Sequence, residues 1–300
     1  MNTSRLTNEK SMKTRPIKSS WRIGACMAVT SFLSAALAQS VAPKFHFTSF
    51  DVPGSTQTRG NGINNRGEIV GVYLDASGSQ HGFLHDPSGF HSIDFPGAGG
   101  TVTSEVNDID EVVGTYSDAS SQNHGYVAHG SRFKVIDFPG ASGTEVYGIN
   151  DALQVVGAYN DIDLVGHGFV LANGHFIKID FPGASETDPF GINEYGDIVG
   201  LEIDGMGLFH GFFFSHEKFS AFDFPGAGST TARAINSQHQ VVGWYSQNGL
   251  VHGFLLSNGS FTTIDFPGAT TTRARGINDR GAIVGSYIDD TGTEHGFVCD

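Results

Sequence analysis

The phrase Ile-Asp-Phe-Pro-Gly-Ala, with close variants, recurs along this chain at an almost constant interval. A sequence that repeats at a fixed period of 20–50 residues builds a repeat fold, in which each unit packs against the next. We number the units 1 to 6 after the Asp that precedes each of them. These Asp residues lie 43, 43, 43, 43 and 42 residues apart, at Asp51, Asp94, Asp137, Asp180, Asp223 and Asp265.

Each unit contains four short segments with the composition of β-strands. The first ends in Gly-Ile-Asn, the second in Val-Gly-x-Tyr, the third begins with His-Gly-Phe, and the fourth reads Phe-x-x-Ile-Asp-Phe, with variants. Such runs of β-branched and aromatic residues, bounded by Gly, Asn or Asp, predict strands. The Pro-Gly after the fourth segment predicts a type II turn, in which Gly supplies the positive φ.

Four strands in about 43 residues match the length of a β-propeller blade. The chain also carries a lone fourth-type segment at 45–51, and unit 6 lacks that segment. We therefore predict an all-β, six-bladed propeller as a single domain over 39–300, closed by pairing of the N-terminal strand with the last blade. Two tandem β-trefoils are the alternative, because three units of this length also build one trefoil.

Residues 1–38 have the pattern of a signal peptide. A basic leader ending at Arg22 precedes an uncharged stretch over 23–38, which closes on Ala36-Leu37-Ala38. Small residues at these positions are typical of signal peptidase sites, and the stretch is short for a membrane span. We expect cleavage before Gln39, a secreted or periplasmic protein, and no membrane insertion after cleavage.

The remaining residues are strongly acidic. Residues 39–300 hold 11 basic and 30 acidic side chains, a net charge of −19. Such a surface repels phosphate backbones, so we expect no nucleic-acid partner and favour cations or neutral sugars. Only Cys299 remains in this range. We expect a monomer, with a Cys299-linked dimer as the alternative.

The repeats resemble the HAF family of extracellular repeats, in which Gly-Ile-Asn-Asn-x-Gly-x-Val-Val-Gly precedes His-Ala-Phe. The match here is 62–71 followed by 81–83, and related segments recur in all six units across 45–300. This chain has Gly where the family has Ala, and it adds a recurrent Asp-x-Pro-Gly. The resemblance implies a secreted repeat protein and brings no catalytic residues.

Comparison of the six units separates scaffold residues from candidate site residues. The His of His-Gly-Phe and the Asp of Asp-x-Pro-Gly occur in every unit, so we assign them to hydrogen bonds within the blades. The same holds for a Thr before each Gly-Ile-Asn. A nucleophilic triad needs one residue placed uniquely against a base, and no Gly-x-Ser-x-Gly occurs. We therefore predict no catalytic residue.

Positions at which the units differ are better candidates for function. Two of them lead into the first strand, which is the innermost in a propeller, so their side chains should rim the central channel. A mixture of Arg, carboxylate and aromatic groups at a channel mouth suits a polar ligand such as a sugar or peptide. Glu202 replaces the Tyr of Val-Gly-x-Tyr in unit 4, and Trp244 occupies the neighbouring variable position of unit 5. The predicted ligand-binding set is Arg59, Glu145, Tyr147, Asp188, Phe190, Glu202, Arg233, Trp244, Arg273 and Arg275.

Glu202 has two interpretations. We favour a solvent-facing replacement of the Tyr over a functional acid. Trp244 is interpreted either as a stacking platform for a ligand or as a core residue.

The loops between the second and third strands carry a recurrent Asp. Asp289-Asp290-Thr291-Gly292 resembles a calcium loop, although its spacing is not that of an EF-hand. Turn formation explains most of these residues. We therefore predict no cofactor and no metal, with calcium as the alternative.

These patterns favour a non-enzymatic, exported propeller that binds an extracellular glycan, peptide or cell-surface ligand on its variable face. A metal-assisted extracellular hydrolase, lactonase or lyase is one alternative, with Glu202, Glu145 or Asp188 as the candidate acid or base. An architectural surface protein is the other. The fold by itself does not choose among them.

Overall fold

A computed structural model describes residues 45–300. The predicted signal peptide lies outside the described residues. Within them, all regular structure is β-strand, and no helix has the length and apolarity needed to cross a membrane.

Each unit contributes strands that run antiparallel to their sequence neighbours. Units 1 and 2 comprise β2 Gln57–Ile63, β3 Ile69–Leu74, β4 Gln80–Asp86, β5 Gly89–Ile93, β6 Gly100–Val106, β7 Glu111–Ser117, β8 Asn123–His129 and β9 Arg132–Ile136. Units 3 and 4 comprise β10 Gly143–Ile149, β11 Val155–Asn160, β12 Gly166–Ala172, β13 His175–Ile179, β14 Glu186–Ile192, β15 Ile198–Ile203, β16 Phe209–Ser215 and β17 Lys218–Phe222. Units 5 and 6 comprise β18 Ser229–Ile235, β19 Val241–Gln247, β20 Leu250–Ser257, β21 Ser260–Ile264, β22 Thr271–Ile277, β23 Ile283–Ile288 and β24 Glu294–Cys299, and β1 Phe47–Phe50 precedes them all.

The number of separate sheets differs from the prediction. Units 1 to 4 each form a four-stranded blade, whereas units 5 and 6 share one eight-stranded sheet. Among the described residues, one parallel backbone pair, Val251 with Thr271, merges the two sheets. β20 has 8 residues where the third strands of units 1 to 4 have 7, and its second residue, Val251, lies beside the first residue of β22. The structure therefore shows four separate blades and not the six that were predicted. The trefoil alternative is also wrong, because each of these four units forms its own sheet.

The N-terminal strand pairs with the last strand, as predicted. β1 lies antiparallel to β24, with Phe47 opposite Cys299 and Phe50 opposite Gly296. The ring of Phe47 packs edge-on against Phe266 and Phe297, with centroids 5.3 and 5.5 Å away. First strands of neighbouring units contact one another all the way round, from β22 back to β2. The repeats therefore close into a ring around a central channel.

The core of each blade is built around the aromatic residue of the His-Gly-Phe motif. In every unit this side chain is completely buried, at Phe83, Tyr126, Phe169, Phe212, Phe254 and Phe297. It lies over the Gly of Val-Gly-x-Tyr, where a Cβ would come within 1.9–2.1 Å of a carbonyl on the first strand. Only glycine permits this approach.

The recurrent His and Asp lie together, as the scaffold interpretation predicts. In each unit the His Nδ1 is 2.9–3.1 Å from the Asp that precedes Phe-Pro-Gly or Val-Pro-Gly. The last of these pairs joins His295 to Asp51 and so spans the ring closure. A Thr hydroxyl accepts the backbone N–H after each such Asp at 2.9–3.1 Å. These groups tie strands together and face no common site.

The loop Asp residues form turns. Asp75 Oδ1 accepts the backbone N–H groups of Ser77 and Ser79 at 2.8 and 2.9 Å. The equivalent bonds recur in units 2, 3, 4 and 6. Across residues 45–300, no group of three or more His, Cys, Asp and Glu side chains is arranged to hold a metal ion.

Cys299 lies in the core of the closing sheet. It is 2% exposed and packs among Ile277, Ile283 and Phe297. Burial raises the pKa of its thiol to about 12. A disulfide to a second chain would require this buried thiol to become accessible, and the Cys299-linked dimer stays an untested alternative.

Candidate functional site: the central channel

Side chains at equivalent positions of the first strands, and of the turns that follow them, form four layers. Each layer takes one residue from each unit. The mouth layer, at the end where the first strands begin, is Arg59, Val102, Glu145, Asp188, Thr231 and Arg273. The bulge layer below it is Asn61, Ser104, Tyr147, Phe190, Arg233 and Arg275. The asparagine ring is Asn64, Asn107, Asn150, Asn193, Asn236 and Asn278, and the acidic ring beyond it is Asn65, Asp108, Asp151, Glu194, Ser237 and Asp279.

A β-bulge creates the second layer. In every unit the pairing of the first and second strands skips one residue, and the skipped residue belongs to the bulge layer. A bulge leaves its extra residue unpaired and re-aims the side chain. The sequence prediction that these positions face the channel is consistent with the contacts that they make across it.

Aromatic rings and a guanidinium converge in the bulge layer. The rings of Tyr147 and Phe190 pack edge to face, with centroids 4.9 Å apart. Arg233 lies over both, with Cζ 5.8 and 5.2 Å from their centroids. It is 7% exposed and donates to the carbonyl of Phe190 at 3.4 Å. A cation over desolvated aromatic faces gains about 2 kcal/mol, so the cluster forms a rigid floor under this side of the mouth.

The charge of Arg233 is balanced from the opposite side of the channel. Glu105, three units away, attracts it electrostatically. Burial raises the pKa of Glu105 to about 7, against the opposing effects of hydrogen bonding and of Arg233. Sequence reasoning missed Glu105, although it departs from Gly-Ile-Asn at the glycine position.

Carboxylates gather on the mouth above Tyr147. Glu145 accepts hydrogen bonds from the Tyr147 hydroxyl and from Asn123 Nδ2, the latter at 2.7 Å. Burial raises the pKa of Asp188 to about 7, and the negative charges of Glu186 and Glu145 raise it further. We call Glu145, Glu186 and Asp188 the acidic arc.

Guanidinium groups gather on the other side, in units 6 and 1. Arg59 makes a two-pronged ion pair with Glu294, at 3.1 and 2.7 Å. Arg275 donates to Ser286 Oγ at 3.3 Å, and its Cζ lies 5.1 Å from the centre of the Trp244 ring. We call Arg59, Arg273 and Arg275 the arginine arc.

The arginine arc is electrostatically strained. Burial lowers the pKa of Arg275 most, and the positive charge of Arg59 lowers it further, followed by smaller effects of Arg233 and Arg273. Burial also lowers the pKa of Arg273, with repulsion from Arg59 acting in the same direction. Glu294 attracts both arginines. The mouth therefore has a negative side and a positive side.

Glu202 lies apart from these groups. It is 5% exposed and sits opposite His210 in the strand register, where the other units have Tyr. Burial raises the pKa of Glu202, and the nearby His210 opposes this effect. The expectation of a solvent-facing side chain is wrong, since the position is enclosed by the blade. Nine of the ten predicted residues belong to the mouth layer or the bulge layer or contact one of them, and Glu202 does not. That these ten residues bind a ligand stays a prediction.

The other end of the channel is held by the asparagine ring. Each Asn Nδ2 donates to the backbone carbonyl of the Asn in the next unit, and Asn278 donates to Asn64 at 2.9 Å to complete the circle. In the acidic ring, Asp108 and Asp151 accept the backbone N–H of the preceding unit at 2.8 Å each. The sequence analysis placed the Asn residues only at the ends of the first segments. Their role depends on contacts about 43 residues away, which the local pattern does not reveal.

No family model and no curated protein matches the chain. Solved structures do resemble it in fold. A protein described as a TolB candidate from Agrobacterium tumefaciens has a TM-score of 0.59 at 12% identity, covering 85% of this chain and 96% of that one. A mutant of Aleuria aurantia lectin in complex with Fucα1-6GlcNAc has a TM-score of 0.51 at 9% identity, covering 81% and 91%. The β-propeller domain of the Trilobed protease from Pyrococcus furiosus has a TM-score of 0.50 at 10% identity, covering 81% and 96%. At these identities the likeness shows the fold alone, and that fold is a β-propeller with four-stranded blades.

Proposed function

We propose that this protein is an exported, non-catalytic propeller that binds a glycan at the mouth of its channel. The observation that carries the proposal is the arrangement of charged and aromatic side chains at the channel mouth. The acidic arc lies above a floor of Tyr147 and Phe190, and the arginine arc lies on the other side, in a scaffold that otherwise repeats. Carboxylates and guanidinium groups bind sugar hydroxyls by charge-assisted hydrogen bonds, and aromatic rings pack against apolar faces. The sugar-bound lectin among the structures of similar fold supports this kind of ligand.

Two further points belong to the same proposal. We count the ring as six-bladed, because the asparagine ring passes once through each unit and returns to Asn64, and because a single backbone pair merges the sheets of units 5 and 6. Export and kinship with HAF repeats rest on the sequence patterns described above.

The proposal is tested by screening the purified protein against a printed panel of glycans. The test variant carries Glu145→Gln and Asp188→Asn, which keep the size of both side chains and remove their charge. We expect the wild type to bind one glycan class and this variant to lose that signal. Glu217→Gln, on an exposed hairpin, is the matched control and should bind normally. A wild type that binds no glycan, with correct folding shown by circular dichroism, would overturn the proposal.

One observation favours the catalytic alternative. Asp188 has a pKa of about 7 and lies near Glu145 and Tyr147, and a carboxyl that titrates near neutral pH is suited to general acid–base chemistry. The test is mass analysis of each bound glycan or lactone after prolonged incubation with wild type and with Asp188→Asn. Turnover that disappears in the variant would assign a hydrolase or lyase, and unchanged ligands support the binding protein.

A further inference from the structure

The arginine arc carries more positive charge than its surroundings compensate. Glu294 is the one carboxylate that attracts all three of its guanidinium groups, and Arg59 already occupies both of its oxygens. This excess is unexpected in a chain whose formal net charge is −14. Like charges that are partly withdrawn from water repel one another strongly, so the cluster is unfavourable unless a negative group joins it.

Arg273 is the guanidinium available to such a group. Within the described residues its pKa reflects burial and the charges of Glu294 and Arg59, and no hydrogen bond contributes. It belongs to the mouth layer, one layer above Arg275. Arg275, by contrast, is held in place by Ser286 and by the face of Trp244. Arg273 thus offers a guanidinium without a hydrogen-bonded partner among the described residues, in the layer next to the fixed Arg275. A guanidinium can bind a planar carboxylate through two parallel hydrogen bonds.

The acidic arc sets the orientation of a ligand. Glu145, Glu186 and Asp188 repel a carboxylate but accept hydrogen bonds from hydroxyl groups. Asn123 adds a donor beside Glu145. A sugar that carries one carboxylate would place it against the arginines and its hydroxyls against the acids. A neutral sugar would leave the arginine arc uncompensated.

We propose that the ligand of this site is an acidic sugar, whose carboxylate is bound by Arg273 and Arg275 beside Trp244. This inference rests on the proposed glycan-binding function and names its ligand class. The ligand class that fits this site is a uronic acid, which is a sugar ring with several hydroxyl groups and a single carboxylate.

The experiment compares two probes that differ only at C6, methyl β-D-glucuronide and methyl β-D-glucoside. Isothermal titration of the purified protein should give a dissociation constant about 10- to 100-fold lower for the glucuronide, which is the range for a hydrogen bond to a charged group. In Arg273→Gln this preference should fall below about threefold. Arg280→Gln, an exposed residue at the opposite end of the channel, is the matched control and should keep it. High salt should weaken glucuronide binding more than glucoside binding.

The outcomes distinguish a failure of the acidic-sugar assignment from a failure of the proposed glycan-binding function. Equal affinity for the two probes, or a preference that survives in both Arg273→Gln and Arg275→Gln, overturns the acidic-sugar assignment and leaves glycan binding standing. Absence of binding to both probes and to every glycan of the panel overturns the proposed function as well. Melting curves of each variant show whether a loss of binding reflects unfolding.

Discussion

At the scale of single residues, position 202 shows how one substitution alters a repeated environment. In four units the Phe that follows the recurrent Asp stacks on a Tyr, and the ring of that Tyr lies next to the ring of the recurrent His. Phe138 and Tyr159, for example, have ring centroids 3.6 Å apart. Unit 4 keeps Phe181 and His210 but places Glu202 between them. The carboxylate is buried there, so its charge is costly.

Glu202→Tyr should therefore stabilise the protein. The new ring restores the stack, which contributes about 0.5–1.5 kcal/mol beyond burial, and removes a buried carboxylate. The folded-state pKa of Glu202 is raised, so its neutral form contributes stability that is lost as pH rises through that pKa. The gain should be larger at about pH 8 than at about pH 4. Urea unfolding at the two pH values measures it, with His175→Tyr on an exposed strand as the control. A loss of stability would show that Glu202 is required where it lies.

At the scale of elements, the first strand of each unit and the Asn after it have two separate structural roles. The bulge of the strand turns one side chain into the channel, and the Asn that follows it binds the next unit. Asn150 illustrates the second role, because its Nδ2 reaches the carbonyl of Asn193 at 3.0 Å while its Oδ1 accepts the backbone N–H of Gln154 at 2.9 Å. One buried side chain therefore closes its own turn and joins two units.

Asn150→Ala should destabilise the ring. A buried group left without a partner costs about 1–3 kcal/mol. The variant leaves the Gln154 N–H without its acceptor and removes one of two hydrogen bonds to the Asn193 carbonyl, which keeps the bond from the Gly196 N–H. Urea unfolding measures the change in free energy. Asn160→Ala, at the exposed end of β11, is the matched control and should change stability by less than about 0.5 kcal/mol. Equal effects of the two variants would contradict the role of the asparagine ring.

At the scale of the whole molecule, closure depends on a strand far from its partner in sequence. β1 completes the sheet of unit 6 and covers the edge of β24. An uncovered edge strand exposes unpaired backbone groups and invites association. The buried charges of the channel are a second property of the closed ring, because Glu105 and Arg233 come from opposite units.

A chain that begins at Asp51 should be less stable than one that contains β1. Burial of a single Phe contributes about 1.5–3 kcal/mol, which corresponds to a loss of about 5 °C or more in Tm for a ring of this size. A synthetic peptide of residues 45–51 should restore Tm when it is added in trans, and a scrambled peptide should not. An unchanged Tm in the shortened chain would show that β1 does not close the ring.

Stability should fall as pH rises from about 5 to about 8. The folded-state pKa values of Glu105 and Asp188 are raised to about 7, so the folded protein holds protons that the unfolded chain releases near its ordinary pKa of about 4. The neutral forms of Glu105 and Asp188 therefore stabilise the fold at low pH. This contribution to the free energy of unfolding is lost as pH rises through about 7. Glu105→Gln and Asp188→Asn should each flatten the dependence of Tm on pH. Asp75→Asn should not, because the pKa of Asp75 is lowered to about 2, outside the window.

The sequence by itself determined the repeat, its four-strand pattern and the closing strand. These follow from local periodicity and from turn chemistry, which six copies display without reference to tertiary contacts. The His–Asp pairs and the channel-facing positions were also predictable, because comparison of units separates shared from variable residues. Only the tertiary structure decided that Glu202 and Cys299 are buried, that Glu105 opposes Arg233, and that the mouth divides into an acidic and an arginine arc. The burial of Glu202 and Cys299 depends on strand pairing and packing within the folded blade. The other two depend on distances between residues of different units, which exist only once the ring has closed.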